Sequence, residues 1–175
     1  NGVTELGCMA HARRKFFDLN AAQANPIALE ALNRIAALYA IEHHGKDMDV
    51  AARTLWRQAQ AQPLLDSLHA WLLSTRPLVA NGSGTAKAMD YSLRRWVALS
   101  RYAGDGRLPI DNNPVENIIR PIAIGKKNWL FTGSERAGQR AAAIQTLLGT
   151  AKLNGLDPAA WLRDTLEKLP TCLNS

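Results

Sequence analysis

The densest concentration of side chains able to do chemistry is Asp111-Asn112-Asn113-Pro114-Val115-Glu116-Asn117, followed by Arg120 and, shortly beyond, Lys126-Lys127. A carboxylate set among carboxamides and flanked by cations suits a hard divalent cation beside a phosphate, because such cations prefer oxygen donors. The same residues have a purely structural reading. Asn113 is a good N-cap, and Pro114 takes the first helical position, where its missing N–H costs nothing. Glu116 falls at N3, where a carboxylate reaches back to the cap and sits at the positive end of the helix dipole. Arg120, one turn on, can pair with Glu116. Capping leaves unexplained why so many polar side chains crowd one helix entrance.

Other chemistry is poorly represented. No Ser, Cys or His shows a recognisable nucleophile-and-base pairing, so a small-molecule hydrolase has little support. Cys8 and Cys172 lie near opposite ends of the 175 residues, which gives neither a disulfide framework nor a metal knuckle and fits a reducing, cytosolic setting. His11 follows Cys8 by three residues, but two ligands do not make a zinc site. With 47% apolar and 21% charged residues the chain is expected to be globular. No apolar run approaches the roughly 20 residues that a membrane span requires. The first residue is Asn and no signal peptide follows it, so a fragment of a longer protein is expected.

The net charge of +6 is concentrated. Residues 21–85 and 141–175 are neutral, whereas 1–20 carry +1, 86–106 carry +2 and 107–140 carry +3. The cations cluster as Arg13-Arg14-Lys15, Arg94-Arg95 and Lys126-Lys127, the last followed by Trp129, Arg136 and Arg140. Such clusters are often solvated helix faces, but a polyanion such as nucleic acid is their natural partner. Trp129 would stack on an unpaired base if exposed, although Trp-Leu-Phe is more often core.

Around these residues the pattern is mainly helical. Residues 3–9 alternate loosely and read as one short strand before a basic helix. Helical periodicity then covers 26–40 and 48–61, Pro63 is expected to open a separate helix, and Thr85 to cap one running to about 102. After the Asn113 start, Pro121 should bend its helix or end the regular part. Gly133-Ser134 opens a long helix whose buried face is expected to be Ala142, Ala143, Ile144, Leu147, Leu148 and Ala151. A last helix starts at Asp157-Pro158.

GCMAHARRKFFDLNAA and, much later, GRLPIDNNPVENIIRPIAIGKKNWLFTGSERAGQRAAAIQTLLGTAKLNGLDPAAWLRDTLEKL resemble the C-terminal part of the insertion sequence 66 family of transposases, enzymes of the Asp-Asp-Glu, ribonuclease H-like class. The likeness covers about residues 1–20 and 85–170 and is most specific in DNNPVEN and GKKNWLFTGSERAG. It implies a mainly α chain: a helical insertion block joined to the C-terminal part of a ribonuclease H-like α/β catalytic core, one core strand and its last helices. Residues 1–20 would be the last core strand and basic helix, 21–105 the all-helical insertion, and 106–175 the core helices carrying the catalytic Glu.

By the same resemblance Glu116 is the third catalytic acid and a metal ligand, supported by Asp111, Asn112, Asn113, Asn117 and Arg120. The two catalytic aspartates would lie upstream, so this chain alone is expected to be inactive and to hold no metal stably. The intact enzyme would use Mg²⁺ or Mn²⁺ for phosphodiester hydrolysis and strand transfer. Arg13, Arg14, Lys15, Lys126, Lys127, Trp129, Arg136 and Arg140 are the candidate DNA contacts. Transposon ends and target DNA are the implied partners, with a homo-oligomer in the intact protein, no membrane, and a bacterial cytoplasmic, nucleoid-associated location. The alternative is a non-catalytic helical module that binds DNA or protein, in which Glu116 only caps.

Overall fold

The computed structural model describes residues 2, 4–125 and 132–171, and its regular elements are all helical. They are α1 (Met9–Ala22), α2 (Pro26–His44), α3 (Val50–Thr75), α4 (Gly84–Arg94), α5 (Trp96–Ser100), α6 (Asn113–Ile124), α7 (Glu135–Leu153) and α8 (Pro158–Lys168), with 3₁₀ turns at Arg76–Leu78, Arg101–Gly104 and Leu169–Thr171. The chain divides into two compact units, Asn1–Pro114 and Val115–Ser175.

Local chemistry explains the helix starts. Asn25 accepts from the Ala28 N–H at 2.9 Å with Pro26 at the first helical position, and Asp49 caps α3 through the Ala52 N–H at 2.8 Å. Ser134 and Asp157 cap α7 and α8 in the same way, as their sequences predict. At α4 the cap is Ser83, which accepts from the Ala86 N–H, rather than the expected Thr85. Thr85 is buried and its hydroxyl accepts from Asn25 Nδ2 at 3.0 Å, which ties the start of α4 to the start of α2.

In the first unit, α1 packs on α2 and α4, and α2 on α3. Met9, Ala12 and Phe16 of α1 meet Ala28, Ala31, Ile35 and Leu38 of α2, with Ala61, Leu65, Leu68 and Leu72 of α3 completing the same core. Alanines at 28 and 31 keep the α2 face small enough for close helix approach. His69 stacks on Trp96 with ring centroids 4.6 Å apart.

Two expectations are corrected here, at Pro63 and over 85–102. Pro63 does not start a helix; it lies inside the 26-residue α3. Its side chain is exposed, so the Ala59 carbonyl that loses its N–H partner faces water, which lets the helix continue. For the same reason α6 continues three residues past the exposed Pro121. The helix expected over 85–102 is broken at Arg95, where φ −105° and ψ 13° separate α4 from α5.

The strand expected over 3–9 is the larger correction. Among the described residues there is no β-strand: residues 4–8 run without regular structure and Met9 already belongs to α1. A strand needs a neighbouring strand for its ladder, and here the backbone donors go to helical and loop carbonyls instead. The Gly7 N–H donates to Ala98 O at 2.9 Å, and the Met9 N–H to Ile110 O at 3.1 Å. A Cβ on Gly7 would lie 2.7 Å from the Leu99 backbone nitrogen, so only glycine permits this approach. Gly7→Ala is expected to lower stability by about 1–3 kcal/mol. Gly104→Ala, where an added Cβ meets nothing within 4 Å, should be nearly neutral. Urea denaturation of the two variants checks the contrast.

In the second unit, Gly149 and Ala151 are the buried residues of α7. A Cβ on Gly149 would come within 2.6 Å of Ile118 Cγ2, so α6 crosses α7 closely at that point. The face expected to be buried is largely open: Ala142, Ala143, Ile144 and Leu147 are exposed, and only Ala151 is enclosed. So small a unit has too little mass to cover both faces of a 19-residue helix.

Candidate functional site

The polar stretch at 111–117 leads into α6, and its first residues are fixed by the helical block before it. Asp111 is buried, with 9% of its surface exposed. Its Oδ2 accepts from the Tyr39 hydroxyl at 2.8 Å and from Asn113 Nδ2 at 2.9 Å, while its Oδ1 accepts from the Asn113 N–H at 3.0 Å. The Asn112 N–H donates to Cys8 Sγ at 3.3 Å. Asp111 is therefore a carboxylate whose oxygens are already used inside the protein, and it fixes the chain as α6 begins.

Burial pushes the Tyr39 phenol far above its ordinary value, and the hydrogen bond to Asp111 and that residue's negative charge push it further. A raised folded-state pKa stabilises the fold below the ordinary tyrosine pKa of about 10, and this contribution fades as pH climbs above it. Burial also raises Tyr102, whose hydroxyl has no hydrogen-bond partner among the described residues. The phenolate absorbance of Tyr39 and Tyr102 is expected to appear only together with loss of helical circular dichroism. Tyr39→Phe, which deprives Asp111 of one donor, should cost about 1–3 kcal/mol near neutral pH; an unchanged unfolding curve would show that the bond contributes nothing.

A second anchorage lies just upstream of the same stretch. Arg57 of α3 is 3% exposed. Its Nε and Nη2 grip Glu42 at 2.9 and 2.6 Å, and its Nη1 donates to the carbonyls of Tyr102, Asp105 and Leu108 at 3.0, 2.8 and 2.9 Å. One turn earlier, Arg53 donates to the carbonyls of Gly45, Lys46, Met48 and Gly106. These two arginines gather the carbonyls at the ends of the elements around them and hold residues 102–108 onto α3. They were missed as positioning residues, although Arg57 stands on the apolar stripe of Ala61, Leu65, Leu68 and Leu72, where a charge needs partners.

Glu116 lies in the first turn of α6 and is half-buried; Asn112, Asn113, Asn117 and Arg120 are exposed. A carboxylate in a first turn is favoured by the helix dipole. The candidate DNA contacts do not form one row. Successive helical residues point about 100° apart, so Arg13, Arg14 and Lys15 fan around the exposed side of α1. The Arg13 guanidinium lies over Phe17 at 5.7 Å, whereas Lys15 Nζ lies 4.7 Å above the Tyr91 ring of α4. Arg136 and Arg140 are exposed one turn apart near the start of α7. Lys126, Lys127 and Trp129 fall outside the described residues.

With this geometry in place, comparison with known proteins decides the family. Residues 1–140 match the family described as Transposase IS66 family. The chain belongs to that family. Residues 146–174 match the IS66 C-terminal element, so the two matches together run through both units of this IS66 transposase chain. Three relatives from Sinorhizobium fredii (strain NBRC 101917 / NGR234) are similar. They are Uncharacterized protein y4hP, 38% identical over 95% of this chain and 32% of the relative; Uncharacterized protein y4jD, 37% over 93% and 32%; and Uncharacterized protein y4qI, 40% over 93% and 30%. The IS66 chain thus spans about a third of the length of the curated relatives it matches. No solved structure matches it. No helix among the described residues is long and apolar enough to cross a membrane.

Proposed function

We propose that this chain is the C-terminal part of a DNA transposase and supplies Glu116 as the third acid of its Asp-Asp-Glu set, the two aspartates and the rest of a ribonuclease H-like core coming from upstream sequence. The observation that carries the reading is the position of Glu116, in the first turn of a helix whose entrance is fixed through Asp111 and Tyr39, inside the segment that matches the IS66 family.

Within the polar stretch at 111–117 the donor chemistry suits a hard cation at Glu116. Glu116 offers carboxylate oxygens of the kind Mg²⁺ or Mn²⁺ prefers, and Asp111, which accepts three hydrogen bonds from Tyr39 and Asn113, anchors the chain just before it. When bound in the intact enzyme, a Mg²⁺ or Mn²⁺ pair supplies Lewis-acid stabilisation of the scissile phosphodiester and a nucleophile at neutral pH. The chain's own part is to carry Glu116 in the first turn of α6 and to seat the DNA backbone on basic side chains, among them Arg13, Arg14, Lys15, Lys126, Lys127, Arg136 and Arg140, with Trp129 as a base platform. Asn112, Asn113, Asn117 and Arg120 line the helix entrance in support. Such a protein acts on transposon ends and target DNA at the bacterial nucleoid, as a homo-oligomer.

One ligand cannot hold the pair, so the 175-residue chain by itself is inactive. Two experiments test the reading: strand transfer by the full-length protein with and without Glu116→Gln, and incubation of the purified chain with supercoiled DNA and Mg²⁺. Nicking by the chain alone that Glu116→Gln abolished would overturn its inactivity.

A further inference from the structure

A cationic groove lies in the first unit, away from Glu116 in sequence, and its three arginines are not among the DNA contacts proposed above. The break at Arg95 ends α4 and leaves Arg94 and Arg95 exposed beside one another. With Arg101 from the following 3₁₀ turn and the segment at Thr4 and Glu5, they line a cavity of about 340 Å³. The Arg95 guanidinium lies 5.5 Å above the Tyr91 ring, the ring that also receives Lys15 Nζ at 4.7 Å. Arg95 thus shares one half-buried tyrosine with Lys15 of α1, while Arg94 and Arg101 line the groove beside it.

The acidic side of this face is thin. Among the described residues Glu5 is the one carboxylate lining the groove, and it pairs with Arg95 at 2.5 Å with 62% of its own side chain and 48% of the arginine's exposed. A pair that open is weakly held and exchangeable with another anion. Asp90, the acid inside α4, is engaged by Arg76 at 2.6 Å. Arg94 uses its Nε on the Asp90 carbonyl, and Arg101 donates to the Glu5 backbone carbonyl. A helix C-terminus alone accounts for cations at 94 and 95; it does not account for Lys15 and Arg101 arriving from other elements.

We infer that this groove is a DNA-backbone site in the helical insertion, in which Arg94, Arg95 and Arg101 take phosphates, Lys15 extends the cationic track, and the Glu5 carboxylate is displaced from Arg95 when DNA binds. Guanidinium forks match phosphate oxygens bidentately and carry no base code, so the site positions DNA without reading its sequence. The inference rests on the reading of the chain as part of a transposase, but it requires neither the metal nor Glu116.

The test uses the 175-residue chain and a labelled duplex, with binding followed by fluorescence anisotropy between about 50 and 200 mM salt. Arg94→Gln/Arg95→Gln/Arg101→Gln is expected to weaken binding at least ~10-fold and to make the salt slope shallower by about 2–3, since each phosphate contact contributes about 0.9. If loss of Arg101 unfolds the chain by circular dichroism, Arg94→Gln/Arg95→Gln is used and the slope falls by about 2. Arg94→Lys/Arg95→Lys should restore most of that slope, and Glu5→Gln should tighten binding. The charge-matched pair Arg163→Gln/Lys168→Gln on α8 should leave binding nearly unchanged.

Any of three results overturns the inference: a folded variant that binds like the wild type, a loss equally large in the α8 pair, or displacement of the duplex by polyglutamate as effectively as by unlabelled DNA. A wild-type chain that binds no duplex at low salt also overturns it. That outcome leaves the Glu116 reading to be decided separately, by strand transfer in the full-length protein.

Discussion

Glu116→Gln in the full-length IS66 transposase is expected to reduce strand transfer on the order of 10³-fold or more, with DNA binding and thermal stability close to wild type. The magnitude follows from removing one anionic ligand, because the charge stabilisation a metal site supplies is worth several kcal/mol and each 1.4 kcal/mol is about tenfold in rate. The substitution is chosen because the two explanations of this residue disagree about it. At N3 of a helix a Gln completes the cap as well as a Glu does, so a purely structural Glu116 tolerates the change apart from the dipole's ~0.3–1 kcal/mol. A ligand to a hard cation does not, since an amide oxygen carries no charge. Transposition within a few-fold of wild type would leave Glu116 as a cap and nothing more.

The largest effect on folding is expected at Arg57. Arg57→Met should destabilise the chain by about 3–5 kcal/mol, because it leaves the Glu42 carboxylate enclosed without its cation and strands the three carbonyls that Nη1 now serves. Only 15% of the Glu42 side chain is exposed, so water replaces the guanidinium poorly. The double variant Arg57→Met/Glu42→Leu should recover a large part of the loss, as apolar replacement of a buried ion pair is often nearly neutral. Urea unfolding followed by helical circular dichroism measures both variants. A single-variant loss below about 1 kcal/mol would mean that the pair and its carbonyls contribute like an open surface bridge.

How much of this was legible in the sequence depended on whether the signal was local. Asp157-Pro158 and Ser134 announce their helices because a cap is an interaction between neighbours, and both start as read. Pro63 misled because the rule against proline assumes that the freed carbonyl has nowhere to go, and exposure on α3 supplies water. The break at Arg95 was invisible because the apolar stripe of Met89, Leu93 and Trp96 runs straight through it. Residues 4–8 are extended enough to alternate, but whether an extended segment becomes a strand is decided by its neighbours, here Ala98 and Ile110.

The candidate site divided in the same way. Glu116 and its polar company could be read from type and spacing. Tyr39 could not, since it lies 72 residues from Asp111 and nothing local marks it. Arg57 could have been read: it sits four residues before Ala61 on the stripe that α3 buries, and a charge there has to find partners. The exposed face of α7 was misread because periodicity identifies an apolar stripe without saying what covers it.

The grip of Arg53 and Arg57 on residues 102–108 bears on how such a protein can be altered. The block from 21 to 105 cannot be lifted away from the segments that flank it: cutting it out would bare Met9 and Phe16 and leave the run-up to Asn113 without moorings. Length changes are better tolerated at the exposed Gly82, where the backbone turns at φ +79° and an added Cβ would meet nothing within 4 Å. A tag or reporter spliced in there would ride on the scaffold without disturbing the helix that carries Glu116.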